Sequence, residues 1–227
     1  MTTVEAIRGM GFHAYGYTCD VANREQVLEV ARQVKEEVGD VTIIVNNAGI
    51  LRSSRLQDMS HQDIRRVFDV NILSHFWVLE AFLPEILKRK KGHVVALSSI
   101  CGIGGVAGMA AYCATKFAIR GLMESLSEEV RELGCHEDIR FTTVYPFYVD
   151  TGIAPDPQFR FPYLFSAVSP RKAANIIVEA VLHNYTEVSI PKPLMFCTQV
   201  TRLFPDTVKN LIMDFLSRKS QKRKRYE

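Results

Sequence analysis

The chain has 227 residues, 47% of them hydrophobic, with 28 Lys and Arg against 25 Asp and Glu for a formal net charge of +3. That composition supplies one substantial core and too little excess charge for a nucleic-acid partner, so it excludes a disordered chain and a nucleic-acid-binding module. Five cysteines (Cys19, Cys101, Cys113, Cys135, Cys197) in no CxxC spacing argue against a disulfide framework or a zinc site, and the six histidines show no metal-ligand pairing. Reducing, cytosolic exposure fits that usage. The stretch from Met1 to His13 has no apolar run long enough for a signal peptide or a membrane span.

Helical and strand patterns alternate along the chain, which predicts an α/β fold around a largely parallel sheet. Phe12 to Thr18 reads as a strand, and Ala22 to Val38 carries helical apolar spacing through Val27, Val30, Ala31 and Val34. The β-branched run from Val41 to Val45 suits a parallel strand buried on both faces. Ser60 with Asp63 resembles a capping box ahead of a helix through Val67, Val70, Ile72, Phe76 and Leu79, with Pro84 as a candidate kink. His93 to Ser99 is the next strand, Ala111 to Leu133 a long helix, and Ile139 to Pro146 another strand. Pro155, Pro157 and Pro162 mark an irregular loop; Ser169 then caps a helix from Pro170 to Leu182, and Glu187 to Ile190 is a short last strand. Val200, Leu203, Phe204, Val208, Leu211, Ile212 and Phe215 fall on one helical face, followed by Arg218, Lys219, Lys222, Arg223, Lys224 and Arg225. The organisation expected is a sheet domain over residues 1–199, with a substrate loop at 149–168, then an amphipathic helix and basic tail over 200–227.

The chemistry lies in a spaced trio, Ser99, Tyr112 and Lys116. Tyr112 and Lys116 are i and i+4, on one helix face with Cβ atoms roughly 5–6 Å apart. A phenolate near neutral pH needs the tyrosine pKa lowered by roughly 3 units, about 4 kcal/mol. One cation at about 4 Å is worth roughly that much at an effective dielectric near 20, so Lys116 is expected to lower it. Ser99, ending a buried strand, is placed to hold a substrate oxygen while Tyr112 moves the proton. In isolation such a pair also reads as an ordinary helix pair.

The surrounding residues decide between those readings. CDV (Cys19 to Val21), NNAG (Asn46 to Gly49), Asn71, Ser99, YCATK (Tyr112 to Lys116), and Pro146 followed by Thr151 occur in the order of the short-chain dehydrogenase/reductase family, which the chain resembles from about Gly11 to Ile190. The resemblance implies a Rossmann-like doubly wound parallel sheet and an NAD or NADP cofactor, with NAD slightly favoured. It implies that Asp20 and Val21 flank the adenine, that Asn46, Ala48 and Gly49 line the cofactor cleft, and that Thr151 meets the nicotinamide carboxamide. It further implies that Asn71 holds a relay water, that Tyr112 is the acid/base, that Lys116 binds the nicotinamide ribose, and that Ser99 positions the substrate. A helix N-cap at Asp20, a satisfied core amide at Asn71 and a loop hydroxyl at Thr151 are the plain alternatives.

Two departures stand out. Phe147 follows Pro146 where the family usually has glycine, a trait shared with a branch of retinol dehydrogenases and lipid-droplet 17-beta-hydroxysteroid dehydrogenases, as is FLPEILKRKKGHVV. That branch implies a lipophilic alcohol or ketone, with Phe147 against the substrate and the aromatics of Ile153 to Phe165 as pocket lining, core or membrane contacts. The family's opening strand and TGxxxGxG turn, which bring backbone N–H groups to a pyrophosphate, do not precede Phe12. The expectation is a sheet lacking its first strand–helix–strand unit, in an N-terminally shortened form of a longer protein.

Two functions follow as expectations. One is an NAD(P)-dependent oxidoreductase that interconverts a lipophilic alcohol and its carbonyl. The other is an inactive shortened isoform that pairs with a full-length relative. A homodimer through the two long helices (about Asp63 to Leu87 and Ala111 to Leu133) is expected. So is peripheral association with the cytosolic face of the endoplasmic reticulum or a lipid droplet, the alternatives being a packed C-terminal helix in a cytoplasmic protein and a nuclear signal in the basic tail.

Overall fold

The computed structural model describes residues 2–152 and 167–216. Four parallel strands, β1 (Ile43–Asn46), β2 (Gly92–Leu97), β3 (Ile139–Pro146) and β4 (Glu187–Ile190), form one sheet in the order β1-β2-β3-β4. The helices are α1 (Thr3–Gly9), α2 (Arg24–Glu37), α3 (His61–Phe68), α4 (Ser74–Arg89), α5 (Ala110–Glu132), α6 (Pro170–Leu182), α7 (Pro193–Thr201) and α8 (Asp206–Leu216). Each of the first three strands is followed by helix that returns the chain to the next parallel strand, which is the doubly wound α/β arrangement.

The period-2 alternation of β2 divides the core between the two faces of the sheet. Val94 and Ala96 pack with Ile72, Leu79, Ile86, Ile119 and Met123 from the α4–α5 layer. Val95 and Leu97 point the other way, into a cluster with Val144, Val188, Ala173 and Ala180 from the α6 layer. The run from α3 through α4 is long and apolar enough to cross a bilayer, but Ile72, Leu79 and Ile86 sit in the core.

Local chemistry explains the element ends. Ser60 accepts from the Asp63 N–H at 3.0 Å and its hydroxyl donates to the Asp63 carboxylate at 2.7 Å, starting α3. Asn23, rather than Asp20, caps α2 by accepting from the Gln26 N–H. Ser169 accepts from the Lys172 N–H at 3.4 Å ahead of Pro170, a residue without an N–H to leave unpaired. Between α3 and α4 the residues Asp69–Leu73 form a π-turn, and the helix then runs on through Pro84.

Several expectations are corrected. Phe12 to Thr18 forms no strand, because extended backbone becomes a strand only beside a partner and none pairs with it; Phe12 and Tyr15 are exposed. β1 is not buried on both faces: Ile44 and Asn46 are buried while Ile43 and Val45 are more than half exposed, at 53% and 54%. Among the described residues β1 bonds to β2 on one side only, as an edge strand does. α1 was not expected, although Thr2 and Glu5 form a capping box, Thr2 N–H donating to Glu5 at 2.7 Å. The single C-terminal helix is two helices, α7 and α8, interrupted at Pro205, and α7 runs across the expected boundary at residue 199. The loop residues Phe159, Phe161, Tyr163, Leu164 and Phe165 and the tail from Arg218 to Arg225 lie outside the described residues.

Candidate active site

β2 ends at Leu97, and the chain turns through Ser98 and Ser99 into a 3-10 turn at Ile100–Gly102. Two hydrogen bonds in opposite directions lock this turn to α5. Ser98 Oγ donates to the Lys116 carbonyl at 2.8 Å, and Lys116 Nζ donates to the Leu97 carbonyl at 2.7 Å. Gly102 makes the close approach possible, since a Cβ there would fall 2.6 Å from the Lys116 carbonyl oxygen and against Ser98 Oγ.

Ser99 is buried, its Oγ accepting from the Cys101 N–H at 3.2 Å and donating toward the Pro146 carbonyl at 3.3 Å. Tyr112 lies on the first turn of α5, half-buried, where burial pushes its phenol up to about 12 against an opposing hydrogen bond from Ser99. Lys116 is buried one turn later, its Nζ 5.7 Å from the Tyr112 ring centroid, and burial pushes its ammonium down to about 8. The expected direction for Tyr112 is therefore reversed here. The lysine donates to Leu97 rather than to the phenol, and desolvation of the phenolate outweighs any help from the cation. Beside Ser99 the Cys101 thiol is also held high, at about 11, by burial and by the neighbouring Cys113.

Asn71 sits in the π-turn and is fully buried. Its carboxamide acts like a strand neighbour to the loop after β1: Oδ1 accepts from the Ile50 N–H at 2.7 Å and Nδ2 donates to the Ile50 carbonyl at 2.9 Å. Nδ2 also lies 3.3 Å from Thr115 Oγ1, whose own proton goes to the Tyr112 carbonyl at 2.8 Å. The amide is thus satisfied by protein groups. Gly49 lies between the two halves: a Cβ there would be 3.5 Å from Lys116 Nζ and 3.6 Å from Asn71 Oδ1.

Beside this cluster a hollow of about 180 Å³ opens off β1, lined by Val21, Val45, Asn46, Asn47, Ala48, Ser74, His75 and Val78. Asn46 Nδ2 and both ring nitrogens of His75 are buried there with no hydrogen-bond partner among the described residues. Burial, helped by the Lys116 charge, pushes the His75 imidazole down to about 3, so it is neutral at physiological pH. A second, wider hollow on the α2 side is lined by Asp20, Arg24, Arg66 and Trp77 among others. Asp20 is exposed, accepts from the Ala22 N–H at 3.1 Å and pairs with Arg66 at 3.3 Å; those two bonds hold its carboxyl below the usual range.

Ser99, Tyr112, Lys116, Asn71 and Gly49 thus come together, and Val21, Asn46 and Ala48 share the adjoining hollow. Phe147 is half-buried beyond β3, donating its N–H to the Ile190 carbonyl at 2.9 Å, while Thr151 is exposed with its hydroxyl turned back to Val149 at 3.3 Å. Sequence reasoning missed Ser98, Gly102, Thr115 and His75. Thr115 lay inside YCATK and Ser98 next to Ser99, yet their partners depend on how closely α5 approaches β2, which no spacing reveals.

A parallel sheet whose strand ends gather a serine, a tyrosine–lysine pair on one helix and a buried helix asparagine defines a doubly wound α/β domain of the dehydrogenase class. The chain belongs to the short chain dehydrogenase family, which it matches over residues 1–158. It is 39% identical over 202 residues to human epidermal retinol dehydrogenase 2, covering 89% of this chain and 65% of that protein. It is 33% identical over 204 residues to human 17-beta-hydroxysteroid dehydrogenase 13, covering 90% of this chain and 67% of the relative. The chain therefore spans about two thirds of the length of these relatives. Among solved structures, an alcohol dehydrogenase from the archaeon Thermococcus sibiricus, complexed with 5-hydroxy-NADP, superposes with a TM-score of 0.68 at 26% identity, covering 82% of this chain and 77% of that one. A short chain dehydrogenase/reductase from Burkholderia phymatum in complex with NAD reaches 0.78 at 23% identity over 92% and 81%, a likeness of fold.

Proposed function

We propose that this chain carries the reaction site of a nicotinamide-dinucleotide-dependent oxidoreductase that interconverts a lipophilic alcohol, such as a retinoid or steroid, with its carbonyl. The observation that carries this reading is the convergence of Ser99, Tyr112 and Lys116 at the end of β2. The names of the relatives support the substrate class, and the nucleotides bound by the superposed structures support the cofactor, with NAD as the first form to test.

The residues present suit such a group. The hollow beside β1 offers buried polar atoms with no partner among the described residues, Asn46 Nδ2 and the His75 nitrogens, and buried polar atoms are rarely left so without a ligand or water to meet them. Gly49, with no side chain, leaves free the space in which a Cβ would touch Lys116 Nζ and Asn71 Oδ1. Val21, Asn46 and Ala48 would hold the adenosine end, and Lys116 the nicotinamide ribose. When bound, the nicotinamide supplies the hydride donor or acceptor.

The chain's own groups do the proton chemistry. In the reduction direction Tyr112, kept protonated by burial, donates its phenolic proton to the carbonyl oxygen, and the Ser99 hydroxyl donates a second hydrogen bond that fixes that oxygen. In the oxidation direction the phenol must first lose its proton, which its raised pKa opposes. Release of Lys116 from the Leu97 carbonyl would bring the cation to bear on the phenolate.

The test is the absorbance of NADH and NADPH at the purified chain with retinal and estrone, before and after Tyr112→Phe. Turnover should fall by about 10²–10⁴-fold while the melting curve is unchanged. Equal turnover in the variant would remove Tyr112 from the mechanism. A second reading, pairing of subunits through α4 and α5, is favoured by the exposure of Leu73, Phe76 and Phe117 on those helices and their junction. Sedimentation of a Phe76→Glu/Phe117→Glu variant as monomer would support it, and an unchanged sedimentation coefficient would count against it.

A further inference from the structure

Ser99 and Tyr112 are thirteen residues apart, and the chain between them carries four glycines, Gly102, Gly104, Gly105 and Gly108. A connection so rich in glycine has many backbone conformations open to it, so contacts from elsewhere in the fold are needed to set Ser99 relative to Tyr112. The Ser98–Lys116 lock holds its first turn. Further on, Ser54 N–H donates to the Gly108 carbonyl at 2.9 Å. Between these points the Arg202 guanidinium, just past the end of α7, donates to the Ile103 carbonyl, which no backbone N–H of the described residues reaches. Arg202 Cζ also lies over the Phe117 ring of α5, 5.8 Å from its centroid. One side chain therefore touches both the turn that begins at Ser99 and the helix that carries Tyr112. α7 is fixed from its other end: Met195 N–H donates to Ser189 Oγ of β4 at 3.0 Å, and Lys192 pairs with Glu179 of α6 at 2.7 Å. The helix passes along the glycine connection, since a Cβ on Gly104 would stand 4.0 Å from the Thr198 methyl.

We propose that Arg202 is a positioning residue for the Ser99–Tyr112 pair: by holding the Ile103 carbonyl beside α5 it fixes the glycine-rich connection and makes α7 part of the frame of the reaction site. The catalytic side of this role rests on the function proposed above, whereas the contact itself does not. Arginine suits the place because its flat guanidinium donates in its own plane while its face lies on an aromatic ring; lysine supplies a donor without the plane. A charged donor also makes a stronger hydrogen bond to the carbonyl than a neutral one. Arg202 touches neither Ser99 nor Tyr112, so it acts on them only through the backbone it holds. Misplacement of a reacting group by about 1 Å costs up to about 10²-fold in rate, so a modest loosening of this stretch is enough to be read in turnover.

Three variants of the full chain test the role. Arg202→Met keeps an apolar stem and removes the donor, Arg202→Lys restores a donor, and Lys192→Met breaks the ion pair at the other end of α7. Amide hydrogen exchange at Gly102, Ile103 and Gly104 should quicken by about tenfold in Arg202→Met, by less in Arg202→Lys, and not at all in Lys192→Met. With NADH and retinal, kcat of Arg202→Met should fall by about tenfold at a nearly unchanged KM, Arg202→Lys should recover part of the loss, and Lys192→Met should match the parent. Exchange in Arg202→Met equal to the parent overturns the proposal, as does equal quickening in Lys192→Met, which would make the effect one of α7 docking in general. Quickened exchange with kcat equal to the parent overturns it too, leaving Arg202 a purely structural contact. A parent chain without turnover overturns the proposed function and the catalytic role of Arg202 together. A parent that turns over beside an equally active Arg202→Met overturns the role of Arg202 alone.

Discussion

β1 and β2 are neighbours in one sheet and differ in almost everything that matters to the site. Val94, Val95 and Ala96 of β2 are fully buried, each face met by its own helix layer, and the turn beyond the strand is bonded into α5 through Ser98, Leu97 and Lys116. β1 has one covered face and one open edge, and among the described residues Asn46 Nδ2 at its end and the His75 ring of α4 beside it find no hydrogen-bond partner. The contrast assigns the two halves of the reaction different physical origins. In the proposed reaction, the groups given the proton transfer are positioned in advance by protein contacts, which rigidify them, while those proposed to meet a nucleotide keep unsatisfied hydrogen-bonding capacity.

Three measurements probe this contrast, the largest effect first. Truncating a strand side chain should be costly where both faces are packed and nearly free where one is open. Ile139→Ala, in β3 and 2% exposed, should destabilise by about 2–5 kcal/mol in urea titration, and Ile43→Ala in β1 by no more than about 0.5 kcal/mol. Comparable losses would mean that the open face of β1 is covered in solution.

The second measurement uses His75. Its folded pKa, about 3, lies below the unfolded value near 6.5, so the unfolded chain takes up the proton first as the pH falls. Stability present above pH 6.5 is lost progressively down to pH 3, amounting to about 2 kcal/mol by pH 5 from this group. His75→Leu should remove that part of the slope, and a nucleotide that supplies the missing partner should protect the parent chain but not the variant. An unchanged slope would show that the imidazole is hydrated.

The smallest effect belongs to Lys116. Its ammonium is held at about 8 against an unfolded value near 10.4, so the unfolded chain binds more protons through that window and stability rises with pH across it. Comparing the parent with Lys116→Met, the parent should gain about 1 kcal/mol between pH 7 and pH 9 that the variant does not. Equal slopes would mean that Lys116 is solvated and free of the Leu97 carbonyl.

What could be read from the sequence was whatever depended on local chemistry. The bounds of β3, α6 and β4 agree with expectation because Ser169 and Pro170 fix one helix start, and because β-branched and aromatic runs have few alternatives as strands. The segment from Phe12 to Thr18 has the same kind of composition and failed, since a strand is a property of a pair and its composition says nothing about whether a neighbour is there. Pro205 was in plain view inside the C-terminal helical pattern and its breaking effect was overlooked. At the site, the grouping of Ser99, Tyr112 and Lys116 was legible from their spacing, and that of Asn71 with them only through the family resemblance. The direction of the Tyr112 pKa was not, because it turns on which acceptor the Lys116 ammonium chooses, and that acceptor is a backbone carbonyl.

The π-turn at Asp69–Leu73 has a consequence for how this helix tolerates change. One extra residue in a turn shifts the angular phase of everything downstream by about 100° relative to an uninterrupted helix. α3 and α4 therefore read as one continuous rod to the chain but as two differently clocked surfaces to their neighbours, with Asn71 at the slip. Loss of one residue there would leave a more regular helix and a misaligned one: the amide that ties Ile50 to Thr115 would point elsewhere, and either α3 or α4 would present the wrong side to the molecule.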